Sequence, residues 1–182
     1  MPSPIAHSVT GYALFKLFRL KVQPSFRFSP LLLGMSLFAA VAADLDFLPQ
    51  FWMDANLHRG ITHSLGFTLG FSLCAAGLAF SLARPLAKPV FLLAAASYGS
   101  HLILDLFTAG GRGIQLLWPL SPEFFQAPFP LFPPVHHSRG LFDWGHLLFV
   151  GYELVYSVLL LKGLDLLTPK PVKSRQAAEF DS

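Results

Sequence analysis

Eight side chains carry the chemistry of this chain: His7, Asp44, Asp46, His58, Arg59, His63, His101 and Asp105. Imidazole and carboxylate are the donors that hold zinc and related divalent ions where thiolate is lacking. The single cysteine, Cys74, lies inside an apolar run, so neither a thiolate site nor a disulfide framework is available. The eight residues sit at or near the ends of long apolar segments. An ionised group at the centre of a membrane helix costs roughly 2.5–3.5 kcal/mol on insertion scales, so groups of this kind usually have a task. Metal binding is the task their types imply.

Spacing sharpens the expectation. His101 and Asp105 are one helical turn apart and share a face, able to grip one ion or to bond each other. Asp44 and Asp46 would point to opposite sides of an α-helix, so that one ligates while the other caps the helix or bonds a ligand. In His58-Arg59-Gly60-Ile61-Thr62-His63-Ser64, two histidines bracket a glycine turn into a helix. Arg59 beside them suits a phosphate or carboxylate of a substrate. His136, His137, Asp143 and His146 form a further polar group, to which the sequence assigns no role.

The elements that must position these residues are helices in a membrane. Of the 182 residues, 53% are hydrophobic and 13% charged, with 19 phenylalanines, against about 25% charged in a soluble domain. The mean hydropathy is +0.54. Five apolar runs read as helices, at about 4–20, 31–48, 62–83, 89–107 and 142–161. Pro49 is expected to stop the second, and Thr62 to cap the third. Lys16, Arg19 and Lys21 follow the first run instead of preceding it, the reverse of a signal peptide, so that run is expected to be retained. It either crosses the membrane or, being short in its apolar part, lies along the interface. The fold class is therefore all-α: one helical membrane domain over 1–165, with a polar cytoplasmic tail at 166–182. The segment 108–141 reads as an interfacial loop, either an ordinary one or a lid, whose aromatic residues suit the headgroup region.

Alternating directions put Lys16, Arg19, Lys21, Arg27, Arg84, Lys88 and Lys162 on one side with the basic tail. Only Arg59, Arg112 and Arg139 fall on the other side. Because positive loops stay cytoplasmic, the expected topology has the N-terminus outside and five crossings. The candidate ligands played no part in that assignment, yet all fall on the extracytoplasmic rim. The pI near 9.2 thus reflects topology, and the partner it implies is the lipid bilayer. No nucleic-acid or specific protein partner is expected.

On these residues the chain resembles the YdjM-like family of bacterial inner-membrane proteins, described as membrane-bound metal-dependent hydrolases. The likeness is carried by His7 with Gly11, Ala43-Asp44-Leu45-Asp46, the stretch His58 to Ser64, and Gly99-Ser100-His101 with Asp105. Thr108 and Gly113-Ile114-Gln115-Leu116-Leu117-Trp118-Pro119 follow in place. That family is similar, distantly, to the zinc-dependent phospholipase C and single-strand nuclease group. The resemblance implies His and Asp ligands from several helices around zinc, and phosphoester hydrolysis.

The expectation is a multi-pass inner-membrane protein, metal-dependent, hydrolysing a phosphoester of a lipid or lipid-linked substrate through activated water. His7, Asp44, His63, His101 and Asp105 are the expected ligands, and His58 and Asp46 are ligands or groups that orient them. Arg59 is expected to hold the substrate anion. Zinc suits the donor set, with manganese or iron as alternatives. The competing reading is a non-enzymatic transporter or metal-binding scaffold, for which polar groups along a bundle interior also serve.

Overall fold

The computed structural model describes residues 4–22, 29–52, 58–133 and 144–168. Among these are five α-helices and no extended strand: α1 (Pro4–Val22), α2 (Ser29–Val41), α3 (Leu65–Leu82), α4 (Ala87–Leu106) and α5 (Trp144–Leu167). Three 3-10 segments accompany them, Ala42–Phe51 after α2, Ile61–His63 before α3 and Arg84–Leu86 before α4. Four segments are long and apolar enough to cross a membrane: Ser29–Pro49, Leu65–Leu82, Arg84–Leu106 and Leu147–Leu167. α1 has 19 residues, but its last two turns carry Lys16, Arg19 and Lys21. The molecule is a helical membrane bundle.

α4 is the central element. Its Val90, Leu93 and Ala94 pack with Leu32 and Ala39 of α2, Ala75 and Ala79 of α3, and Phe15 of α1. The opposite faces of α3 and α5 stay apolar and uncovered, as Leu69, Leu73, Leu78, Leu154 and Leu159 show. Faces of that extent are unfavourable in water and suit lipid chains. α1 runs alongside α5 in the same direction. Thr10 Oγ1 meets the Tyr156 hydroxyl at 2.8 Å, and Lys16 Nζ meets Asp165 Oδ1 at 3.5 Å two turns further on.

Small residues bring α1, α2 and α4 into close contact at one level. A Cβ on Gly11 would lie 2.8 Å from the Ser36 carbonyl oxygen and 2.9 Å from Ala40 Cβ. Ser36 donates to the Gly11 carbonyl at 2.7 Å, and its hydroxyl pairs with that of Ser97, also at 2.7 Å. Small residues and buried hydroxyls are the usual means of close helix contact in lipid, where apolar area gives little drive to associate. One turn from this crossing, on the same faces, stand His7, Ala40 and His101. The crossing therefore sets the distance between the histidines.

Two expectations are revised. The second helix does not remain α-helical to Leu48: it tightens at Ala42 into a ten-residue 3-10 segment that contains Pro49 instead of ending before it. The consequence is geometric. Residues two apart lie about 160° apart around an α-helix but about 120° apart in a 3-10 helix, so Asp44 and Asp46 flank a common partner instead of facing away from each other. At the third helix the cap is Ser64, whose hydroxyl accepts from Phe67 N at 3.0 Å. Thr62 turns to Asp46 instead, donating to its Oδ2 at 2.7 Å.

After α4, residues 108–133 fold back across this end of the bundle. Ile114 and Phe125 exchange backbone hydrogen bonds at 2.9 and 2.8 Å, and Ala109 N reaches Phe132 O at 2.9 Å. Gly113, at φ +80°, sits so close to the Phe125 carbonyl that a Cβ would collide with it. Leu65 N donates to Leu116 O at 2.9 Å and Gln115 N to Arg59 O at 3.2 Å, which ties the loop to the start of α3.

Candidate metal centre

Four lone-pair atoms converge where the 3-10 segments meet the end of α4. Asp44, His63, His101 and Asp105 each contribute one atom, all within 4.8 Å of one another. His63 Nε2 lies 3.2 Å from His101 Nε2, 3.3 Å from Asp105 Oδ2 and 3.6 Å from Asp44 Oδ1. His101 Nε2 lies 3.5 Å from Asp44 Oδ1 and 3.8 Å from Asp105 Oδ2. His63, His101 and Asp105 are wholly buried, and only Asp44 keeps slight exposure.

The partners of the other ring nitrogens fix which atoms carry hydrogen. His101 Nδ1 is 2.8 Å from the Ala40 carbonyl oxygen, which can only accept, so Nδ1 holds the proton and Nε2 is bare in the neutral ring. His63 Nδ1 is 3.1 Å from Asp46 Oδ2, again an acceptor, which leaves its Nε2 bare as well. With both rings neutral, two bare nitrogens and two carboxylate oxygens thus face one another with no donor among them. Asp44 Oδ1 and both oxygens of Asp105 are buried and accept no hydrogen bond. Burial without partners is costly for such groups, and a cation between them removes the cost.

A divalent ion fits this set. A tetrahedron with bonds of about 2.0–2.2 Å has edges of about 3.3–3.6 Å, and the five separations above run from 3.2 to 3.8 Å. In the absence of a metal a proton fills the role. Burial pushes the His63 imidazole down, but Asp105, Asp44 and Asp46 around it outweigh that effect and raise its pKa from 6.5 to about 10.

The remaining candidates stand around this core. His7 stacks on His101, ring centroids 3.8 Å apart and planes 17° apart. Its Nε2 lies 3.7 Å from Asp105 Oδ1, and neither ring nitrogen has a hydrogen-bond partner. Asp46 accepts from four donors: His58 Nδ1 at 2.7 Å, Thr62 Oγ1 at 2.7 Å, Arg59 N at 3.1 Å and His63 Nδ1 at 3.1 Å. With His58 and His63 it forms a second group with metal-ligand spacing. Arg59 is buried, with Nε 3.6 Å from Asp105 Oδ2 and Nη1 donating to Gly110 O at 3.1 Å. That Nε has no hydrogen-bond partner. The backbone of Arg59 takes φ +64°, a left-handed conformation that costs an ordinary residue about 1–2 kcal/mol. Asp46 holds it there through the Arg59 N–H.

All eight residues come together at one end of the bundle. His136, His137 and Asp143 lie outside the described residues, and His146 falls in the first turn of α5. Sequence reasoning missed the groups around the imidazoles: the Ala40 carbonyl facing His101 Nδ1, the Thr62 hydroxyl beside His63 Nδ1, and Tyr98, whose hydroxyl donates to the Thr62 carbonyl at 2.7 Å. Only Thr62 had a signal, its place beside His63. The Ala40 carbonyl had none.

The family model described as YdjM inner membrane protein matches residues 1–172. The chain belongs to this family. It is also 31% identical, over 152 residues, to the inner membrane protein YbcI of Escherichia coli (strain K12), covering 80% of this chain and 85% of that one. No solved structure matches it. Membership in the YdjM family, with the four apolar helices, makes the chain a multi-pass inner-membrane protein. A YdjM-family protein with this arrangement has a buried His/Asp group able to hold a metal ion.

Proposed function

We propose that the chain is a membrane-bound, metal-dependent hydrolase that cleaves a phosphoester of a lipid or lipid-linked substrate at the extracytoplasmic surface. The observation that carries the reading is the convergence of bare acceptors: His63 Nε2, His101 Nε2, Asp44 Oδ1 and Asp105 Oδ2, with no donor among them. These four residues would hold the ion, and zinc is the best match to two nitrogens and two oxygens at tetrahedral spacing. Such an ion, once bound, supplies Lewis acidity for activating water and polarising the ester.

The protein's own groups have separable tasks. The Ala40 carbonyl and Asp46 fix the imidazoles in the tautomers that offer Nε2. Asp46 is saturated by its four donors, so we assign it and His58 to orientation instead of ligation. His7 Nε2 and Asp105 Oδ1 are acceptors left over beside the cluster, more than one closed four-ligand ion requires. Arg59 aims an unsatisfied Nε–H at the same place, a fixed positive charge for an anionic oxygen of the substrate.

A second reading has an observation of its own. Three of the four central residues are fully buried, as in a closed structural metal site, which favours a metal-binding scaffold. Transport is less favoured, because the cluster lies at one end of the helices instead of at mid-span. Purified protein in detergent decides between the first two. A hydrolase retains stoichiometric metal and cleaves a generic phosphomonoester or phosphodiester, with activity lost on chelation and restored by zinc or manganese. A scaffold retains the metal and turns nothing over.

A further inference from the structure

Beside the metal cluster, on the Asp46 side, the structure contains an open groove with a cavity volume of about 480 Å³. Asp46, Thr62 and Gly60 line its inner part, and Arg112, Gln115 and Phe124 come from the loop after α4. The inner part is polar but already satisfied, since Asp46 is taken up by its four donors. The outer part carries Arg112, a permanent cation that already has partners of its own. The Arg112 guanidinium lies over the Phe124 ring, 4.4 Å from its centroid, and Nη2 donates to His58 O at 2.8 Å. Stacking and that hydrogen bond hold a planar, permanently charged fork at the mouth of the groove, a geometry suited to phosphate.

We propose that this groove receives the phosphate headgroup of an amphipathic ligand, with Arg112 as the residue that recognises it. The inference deepens the hydrolase reading and rests on it for the fate of the ligand. It does not depend on that reading for binding. Three features favour a phosphate-bearing lipid: the fixed guanidinium, apolar lining from Ile61, Pro49 and Phe124, and a position at the end of membrane-spanning helices. Arg59, buried against Asp105, serves the metal cluster; Arg112, exposed at the mouth, selects what approaches it.

The test measures binding and turnover separately on the full chain in detergent micelles. Phosphatidic acid, phosphatidylcholine and soluble glycerol phosphate are titrated into wild type, Arg112→Gln, Arg112→Lys and Phe124→Leu. Each variant is first checked for monodispersity and metal content. Phosphatidic acid is expected to bind wild type more tightly than phosphatidylcholine, and to weaken as salt rises. Arg112→Gln should weaken phosphatidic acid about tenfold or more, as loss of a charge-assisted bond implies, with metal content unchanged. Arg112→Lys and Phe124→Leu should fall between the two. Glycerol phosphate should compete, but more weakly, because it lacks the chains that fill the apolar part; equal affinity would overturn the lipid as occupant. Equal affinity of wild type and Arg112→Gln for phosphatidic acid would overturn the role of Arg112. If wild type binds phosphatidic acid through Arg112 but hydrolyses nothing, the groove assignment stands and the hydrolase reading falls. If it hydrolyses soluble phosphoesters but shows no preference for phosphatidic acid, the groove assignment falls alone.

Discussion

The Nε2 atoms of His63 and His101 face one another at 3.2 Å, although the Nδ1 atom of each ring already faces an acceptor. Neutral rings in that arrangement set lone pair against lone pair, with Asp44 and Asp105 adding carboxylate oxygens to the same space. The pair is stable only with a cation between them, either a metal ion or the proton that His63 takes up in its absence.

Removing a central donor should therefore empty the site. His101→Ala and Asp105→Ala are each expected to cut bound metal by well over a hundredfold in affinity. Asp46→Asn, which alters the hydrogen bond behind His63, should weaken it by about 10–100-fold. Metal analysis of purified variants checks this ranking. Full metal content in both α4 variants, in protein that still inserts and purifies as one species, would remove the site and leave His101 and Asp105 as a polar helix end.

The His63 proton makes metal binding pH-dependent with a definite sign. The folded pKa is raised from 6.5 to about 10. In metal-free protein the proton on His63 therefore stabilises the fold fully below about pH 6.5, and that contribution is lost as pH rises through about 10. At pH 7 the ion must displace this proton. Titration calorimetry in buffers of different ionisation enthalpy should show about one proton released per ion, with apparent affinity rising up to about tenfold per pH unit between 7 and 9. Zero release would mean that His63 is neutral in the metal-free protein and that the carboxylates do not control it.

The sequence displayed the donors plainly, because imidazoles and carboxylates at the ends of apolar runs have few other uses. An all-helical membrane bundle was equally legible from hydropathy. The 3-10 segment at Ala42–Phe51 was not, because a change from α to 3-10 depends on packing more than on residue pattern. That change determines how Asp44 and Asp46 are used. Both turn to His63, one at each ring nitrogen. The arginines were harder still: Arg59 suits a substrate anion from its place beside the histidines and Arg112 reads only as a loop charge, and only the fold buries one against Asp105 and lays the other over Phe124.

Arg59→Ala separates metal binding from substrate use. The side chain cannot ligate a cation, so metal content should hold within a fewfold. Phosphoester turnover should fall by about 10²–10³, the usual consequence of losing one fixed donor to developing negative charge. Arg59→Lys should recover only part of it, because a lysine is a point charge without the planar fork. Loss of metal in Arg59→Ala would instead make the arginine a support for Asp105.

The crossing at Gly11 should matter to the site through distance alone. Any Cβ there meets the Ser36 carbonyl and Ala40, so Gly11→Val must push α1 away from α2. Overpacking of this kind costs about 1–3 kcal/mol, which a fall in the midpoint of thermal unfolding in detergent will show. Because His7, which stacks on His101, is one turn away, metal content should fall as well, but less than in His101→Ala. Ser97→Ala removes a hydroxyl without adding bulk and should lower the midpoint with less effect on metal.

Topology decides which compartment the site serves. α1 and α5 run in the same direction, with Lys16 beside Asp165 at the end remote from His7 and Asp105. The Arg84–Leu86 turn, with Lys88 just beyond it, enters α4 at the end opposite Asp105. The charge rule assigns that basic end to the cytoplasm. Reporter fusions at residues 84–88 and after residue 167 should therefore register inside, and a fusion within residues 120–124 should register outside. An N-terminal reporter should also register outside, since α1 packs lengthwise with α5 through Thr10 and Tyr156 instead of lying across the bundle. A cytoplasmic signal from residues 120–124 would leave the His/Asp group intact as chemistry but turn it to the other compartment. The substrate would then have to be sought among cytoplasmic-leaflet lipids. Outside signals at both 84–88 and 120–124 would be a deeper failure, because α4 would then not cross the membrane and the bundle itself would be wrong.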